Sequence, residues 1–406
     1  NSKKINELVN SNFMKKIRSF NNRINIKNKR IILRSDLNVP IKNKVIQDKT
    51  RINLSIPLIE NLLKREAKVL LISHLGRPRD LKDHNLSLKP VYEYLKEKIS
   101  NNIYFFSDKI TNKTKDKISF LKNGEIIFFE NIRLNDGEIQ NDDNFAKNLS
   151  SLGDVYINDA FSCAHRKQTS IHKITKHISN SYAGPLLMKE IQSINMVLNS
   201  KKKPTTCIIG GSKISTKLGV ITTLLKKVDY LIIVGAMANN FIKFKGNKIG
   251  KSLIESGSEK IIGEIYDKAD KNSCEIVTPL DFAVSESIDG EANLKSFQDI
   301  QENDIILDIG QKTIKKINKV IDSSKTVLWN GPAGYFENRN FSKGTISIAR
   351  KISENTKSNN LISIVGGGDT ISAIKNNGID VNFTHLSTAG GAFLEYIEGK
   401  NLPGIE

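Results

Sequence analysis

The chain has 406 residues, with 62 Lys and Arg against 43 Asp and Glu, a formal net charge of +19 and a hydrophobic fraction of 38%. That length exceeds what a single hydrophobic core supports, so two domains of about 200 residues each are expected. No apolar run approaches the roughly 20 residues of a membrane helix, and Cys163, Cys207 and Cys274 stand too far apart for a disulfide framework or a zinc site. The amino-terminal stretch NSKKINELVNSNFMKKIRSF is charged and lacks the continuous apolar centre of a secretory signal, so the reading is a cytoplasmic chain without a membrane partner. Lysines are scattered along the whole chain, with neither a dense basic tail nor aromatic interleaving. No specific nucleic-acid partner is expected from that pattern. A small, highly charged anion needs only a local cluster of arginines.

Short apolar runs recur along the chain. In the first half they are RIILRSD (30–36), KVLLISH (68–74), EIIFFEN (125–131) and DVYINDA (154–160). Each ends in a polar or Gly-marked loop and gives way to a helical pattern. Continuous Val, Ile and Leu runs alternating with helices predict parallel sheets covered on both faces, an α/β chain of three-layer domains. Functional groups then belong in the loops at the carboxyl ends of the strands. There the first half collects Asp36 and Asn38 (RSDLNVP), Arg51 (DKTRI), His74 and Arg77 (SHLGRP), Arg133 (ENIRL) and Arg166 (AHRKQ). A lone surface arginine is usually just solvated. Four arginines in Gly-, Pro- or Asn-marked loops point to a bound phosphate or carboxylate, which their planar forks hold bidentately. Asn38 and His74 could meet hydroxyls.

Between the halves, GPLLMKEIQSINMVLNSKKKP (184–204) opens with Gly-Pro and carries apolar residues at helical spacing. It reads as a helix over 187–203 joining two domains, with a cleft beside it. The second half continues with TTCIIGG (205–211), DYLIIVG (229–235), DIILDIG (304–310), TVLWNG (326–331) and LISIVGG (361–367). In IIGGSKISTKLG, Lys213 and Lys217 stand at i and i+4, on one face of a helix expected to begin at the glycines. Cations in a first turn oppose the helix dipole unless an anion is bound there. WNGPAGYFE supplies an acid, Glu337, and STAGGAF a small-residue loop. LISIVGGGDT leaves two readings open for Asp369: a helix cap, or a metal ligand between the carboxylate and a phosphate. GNKIGKS (246–252) has three residues between its glycines where a P-loop needs four, and it is set aside.

RSDLNVP, SHLGRP, NDAFSCAHR, GGSKISTK, WNGPAGYFE, GGGDT and STAGGAF, in this order and spacing, resemble the motifs of the phosphoglycerate kinase family from about residue 30 to the carboxyl end. The resemblance implies two Rossmann-like domains with an active-site cleft between them. Residues 30–186 would bind phosphoglycerate and 204–394 Mg-nucleotide, with 395–406 packing back on the first domain and 1–29 a partly disordered extension. It implies Asp36, Asn38, His74 and Arg77 around the glycerate, Arg133 and Arg166 on its phosphate, and Arg51 toward the phosphoryl in transfer. Lys213, Lys217, Gly310, Asn330, Gly366, Gly367, Gly368 and Thr370 would meet the nucleotide, Glu337 its ribose, and Asp369 the Mg²⁺. Arg51, Lys217, Gly367 and Gly390 would act on the reacting group. Ala389, Ala236 and Gln168 depart from the family's usual residues without removing a charge. The implied enzyme is a monomer passing a phosphoryl group between 1,3-bisphosphoglycerate and ADP; the alternative is a non-catalytic polyanion-binding chain on the same fold.

Overall fold

The structure, a computed structural model, describes residues 17–79 and 84–406. The chain divides into two compact units: one ends at Gln192 and takes in Asn401–Glu406, the other spans Ser193–Lys400. In the amino-terminal unit six strands lie in the order Ile103–Phe106, Ile126–Phe129, Lys68–Ile72, Arg30–Arg34, Val155–Asn158, Ser181–Ala183. Every pairing is parallel. Successive residues point to opposite faces: Ile31, Leu33, Val69 and Leu71 pack with Ile52, Ile59 and Leu62 of the helix Thr50–Lys64, while Ile32, Leu70 and Ile127 pack with Phe145 and Leu149 of the helix Asp143–Ser150. Helices on both faces are why these strands read as unbroken apolar runs.

Residues 17–29, expected to precede the fold, are part of this unit. The Phe20 N–H donates to Ala183 O at 2.8 Å and Ile26 is buried in the core. An edge strand presents unpaired backbone groups, and the apolar Phe20, Ile24 and Ile26 supply a segment that covers it. The remainder of the expected extension, residues 1–16, lies outside the described residues. At the other end the Gly404 N–H donates to Ala164 O at 2.8 Å and Asn158 Nδ2 donates to Gly404 O at 3.1 Å. This return begins at Asn401 rather than at residue 395, because Gly391–Ile397 is a helix that buries Ala392, Phe393 and Ile397 in the other unit.

The helix expected over 187–203 runs from Pro185 to Leu198. Pro185 suits a first helical position, and Asp159 Oδ1 accepts from the N–H of Leu186 at 2.7 Å and of Leu187 at 3.3 Å, capping the start. The helix stops short because Pro204 disfavours helical geometry before it and the Ser200 hydroxyl takes over local bonds, accepting from the Lys202 N–H at 3.2 Å.

The carboxyl-terminal unit holds a second parallel sheet in the order Glu275–Val277, Tyr230–Ile233, Thr205–Ile209, Thr326–Asn330, Ile362–Gly366, His385–Ser387. One run departs from the expected parallel pattern. Ile305–Ile309 pairs antiparallel with Asp281–Ser285, which also pairs antiparallel with Asn293–Ser296. For the second of these pairs, the link between Ser285 and Asn293 is too short for the crossover of a dozen or more residues that a parallel pair requires. Cys163, Cys207 and Cys274 are all buried and unbridged, and burial pushes the Cys207 and Cys274 thiols up. Among the described residues no helix is long and apolar enough to cross a membrane.

Candidate active site

In the amino-terminal unit the loops after the strands place most of the expected residues in one hydrogen-bonded cluster, joined by Arg51, which is expected in a loop and stands instead in the first turn of the helix Thr50–Lys64. Asp36 accepts from Arg51 Nη1 at 3.0 Å and from Ser162 Oγ at 2.6 Å. Arg51 Nη1 also donates to Asn38 O at 3.1 Å, and Asn38 Oδ1 accepts from the Gly76 N–H at 2.9 Å. Gly76 O in turn accepts from Arg133 Nη1 at 2.5 Å, and Arg133 Nη2 donates to Gln168 Oε1 at 3.4 Å. Arg133 is buried, yet its Nε has no partner among the described residues. A buried donor left unmade is costly, and an anionic oxygen would satisfy it. Arg166 is half-buried within electrostatic reach of His74, whereas Arg77 is exposed on the loop after Lys68–Ile72.

His74 is buried, and desolvation, then the charges of Arg34, Arg133, Arg51 and Arg166, hold its pKa well below the ordinary value. The imidazole is therefore neutral at physiological pH. Arg34 was not singled out from the sequence, although an arginine inside the apolar run RIILR carried a signal: such a charge must be paired when buried. Its Nη2 lies 3.3 Å from His74 Nδ1 and its Nε donates to Ser170 Oγ at 3.0 Å. Glu138, in the polar stretch NDGEIQ, gave no such sign.

The carboxyl-terminal unit builds differently. Gly367 has φ +104°, a conformation side chains resist, and a Cβ there would stand 2.9 Å from Asn330 Nδ2. Asn330 Nδ2 donates to Gly366 O at 3.0 Å while its Oδ1 accepts from Lys217 Nζ at 2.5 Å. The Thr370 hydroxyl accepts from the Gly331 N–H at 2.8 Å, tying GGGDT to WNGP. Burial lowers the Lys217 pKa, with the Asp369 charge opposing. Asp369 lies in the first turn of the helix Gly368–Asn376, exposed, and no side chain caps that helix, so the capping reading of Asp369 is not what the structure has.

Asp369 and Glu337 instead share the wall of a cavity of about 440 Å³ with Gly211, Gly235, Ala236, Leu253, Tyr335 and Phe336. Its size suits a small-molecule ligand. Asp308, unforeseen, also lines it. Of the residues expected at the nucleotide, only Asp369 and Glu337 line it; Lys213, Lys217, Gly310, Asn330, Gly366, Gly367, Gly368 and Thr370 do not, and neither does Gly390. Gly310 begins the helix Gln311–Ser323, where its lack of a Cβ admits the Asp281 carboxylate that accepts from the Lys312 and Thr313 N–H groups. Gly390, φ +51°, begins the helix Gly391–Ile397. The helix expected at the glycines begins only with a 3₁₀ turn at Ser215–Lys217, continued by Leu218–Leu224. Gly211 has φ +136°, outside the helical region, so Lys213 is an exposed loop residue and does not share a helix face with Lys217.

A family model described as phosphoglycerate kinase matches residues 21–400. The chain belongs to the phosphoglycerate kinase family. It is 44% identical over 380 residues to the phosphoglycerate kinase of Wolbachia sp. subsp. Drosophila simulans (strain wRi), covering 93% of this chain and 95% of that one. It is 39% identical over 391 residues to that of Xanthobacter flavus, covering 96% and 98%. The solved phosphoglycerate kinase from Coxiella burnetii superposes with a TM-score of 0.84 at 36% identity, covering 94% of this chain and 96% of that one. The family match starts at residue 21, ahead of the expected residue 30, in agreement with the packing of Ile24 and Ile26. Gln168 accepts from Arg133, and Ala236 lines the cavity.

Proposed function

We propose that the chain catalyses reversible phosphoryl transfer from 1,3-bisphosphoglycerate to ADP, giving 3-phosphoglycerate and ATP. The observation that carries this reading is the division of labour within one chain of this family: a cage of arginines around a neutral histidine in one unit, and a glycine-walled cavity edged by an uncapped carboxylate in the other. The polyanion-binding alternative is disfavoured, since the chain's relatives are phosphoglycerate kinases and a generic basic surface needs neither feature.

In this reading Arg133 and Arg166 hold the phosphate of the acid, with the unpartnered Arg133 Nε as one donor. Asp36, Asn38, His74 and Arg77 orient the glycerate. Arg51, held by Asp36 and Asn38, meets the phosphoryl as charge redistributes in the transition state, where such a contact accelerates the step. The acceptor carboxylate of 3-phosphoglycerate is already ionised at neutral pH, so no general base is needed. Lys217 and Lys213 face the nucleotide phosphates, Gly366 to Gly368 and Gly390 offer backbone amides, Asn330 and Thr370 brace the loop, Gly310 supports the same site and Glu337 takes the ribose. Asp369 fits an Mg²⁺ site of the kind that borrows most of its ligands from phosphates: among the described residues no cluster of three or more acids, His or Cys exists to hold a metal without them. Bound there, the ion would neutralise phosphate charge. Donor and acceptor half-sites on separate units call for closure that aligns the reactants in line and excludes water. Each chain carries both half-sites, so a monomer suffices, and three free thiols suit a reducing cytoplasm.

The test is a coupled assay of ATP-dependent formation of 1,3-bisphosphoglycerate from 3-phosphoglycerate. Saturating turnover is expected with Mg²⁺; none at any substrate concentration would defeat the reading.

A further inference from the structure

Beneath the acid-side cluster lies a deeper layer. Arg34 and Glu138 are both 0% exposed. Glu138 Oε2 accepts from the Ser170 N–H at 2.9 Å and Oε1 accepts from Ser170 Oγ at 2.6 Å. Having given its one hydroxyl proton to Glu138, Ser170 Oγ can only accept from a third partner, and Arg34 Nε donates to it at 3.0 Å. Arg34 Nη1 donates to Ser35 O at 2.7 Å, and Nη2 faces His74 Nδ1 at 3.3 Å and, more weakly, Cys163 Sγ at 4.0 Å. A guanidinium has donors only, so this contact requires a lone pair on Nδ1. A neutral imidazole with a bare Nδ1 carries its proton on Nε2. Cys163 Sγ lies 3.6 Å from Nδ1 and 3.8 Å from Nε2, a weak partner for either nitrogen that does not choose between them.

We propose that Glu138, Ser170 and Arg34 form a buried relay that fixes His74 as its neutral Nε2–H tautomer, making Nε2 a standing hydrogen-bond donor. The relay is a positioning device, and its use in catalysis rests on the proposed placement of His74 in the acid site. It also explains why a carboxylate is buried this deep: Glu138 orients the serine hydroxyl, the serine orients the guanidinium, and the guanidinium selects the tautomer.

The test is long-range ¹H–¹⁵N correlation NMR of the full chain with ¹⁵N-labelled histidine, His74 being assigned from the spectrum of H74Q. Wild type should show a protonated Nε2 and a bare Nδ1 from about pH 6 to 8, within the range in which an ordinary imidazole changes its charge. Ser170→Ala should lower the Nε2–H to Nδ1–H ratio about tenfold, the worth of one charge-assisted hydrogen bond. Ser170→Thr should restore it. If S170A does not fold, Arg34→Met, which leaves no donor facing Nδ1, must give the same fall. A wild-type Nδ1–H or doubly protonated ring overturns the relay, and so does a ratio unchanged in a folded S170A. An Nε2–H ring whose signals 3-phosphoglycerate fails to shift supports the relay and defeats instead the placement of His74 in the acid site.

Discussion

The two units meet phosphate chemistry with different materials. In the amino-terminal unit the ligand would face side chains: Arg51, Arg133, Asp36, Asn38 and Gln168 are linked through one another and through Gly76, largely out of water. In the carboxyl-terminal unit it would face backbone. Gly367 and Gly368 expose main chain beside the buried Gly366, and the side chains Asn330 and Thr370 are spent on bracing the loop. A pre-paired side-chain cage resists rearrangement and can present charge at a fixed place. A glycine loop admits close approach of a ligand but depends on a few braces to keep its shape. Mutations in the first should therefore divide cleanly between binding and rate, whereas mutations in the second should act through loop geometry.

The largest effect is expected at Arg51. If it meets the phosphoryl in flight, Arg51→Ala should lower kcat by at least about a hundredfold with a modest change in KM. Arg133→Ala should show the opposite emphasis, raising KM for 3-phosphoglycerate by about 30-fold, the scale of a lost hydrogen bond to a charged group. Equal KM defects with preserved kcat in both variants would make Arg51 one more anchor. In the carboxyl-terminal unit Gly367→Ala forces a side chain into φ +104° and against Asn330, which holds Lys217. At roughly 1–3 kcal/mol of strain, nucleotide KM should rise about tenfold or more while 3-phosphoglycerate binding is unchanged. Asp369→Ala should remove most of the Mg²⁺ dependence of ADP binding in calorimetric titration and leave the acid untouched. Retained dependence would take the metal role from Asp369.

The smallest effect concerns stability, and each unit supplies one group. Burial pushes Asp159 and Asp308 up to about 7. Unfolded aspartates titrate near 3.9, so from about pH 4 to 7 the folded chain binds more protons than the unfolded one, and stability falls as pH rises through that window. Melting temperature should drop by a few degrees between about pH 5 and 8. Asp159→Asn and Asp308→Asn should each flatten the slope of their own unit's transition.

Strands were the most legible part of the fold, because a strand buried on both faces must be apolar throughout. DIILDIG was legible as a strand but not as antiparallel, since an apolar run does not encode its neighbour's direction. The short strands Glu275–Val277 and His385–Ser387 carry too few apolar residues to stand out. Among the residues that the loop motifs singled out in the first half, Asp36, Asn38, His74 and Arg133 all fall in hydrogen-bonded places after strands. The supporting layer was hidden because Ser170 and Glu138 acquire meaning only when distant segments meet. The helix face read for Lys213 shows the reverse error: its spacing suggested a helix, where the backbone made an exposed turn. Gly310, named through the resemblance, makes room for the Asp281 cap.

The three buried, unbridged cysteines have a practical consequence. Cys163 lies in the amino-terminal unit, Cys207 and Cys274 in the other, and thiol reagents attack only thiolates they can reach. Alkylation of the native chain should then proceed no faster than the openings that uncover each sulfur. Mass spectrometry of the tagged peptides over time would clock the breathing of each half separately, in the unaltered protein, and ligand for one half should slow its own clock more than the other's.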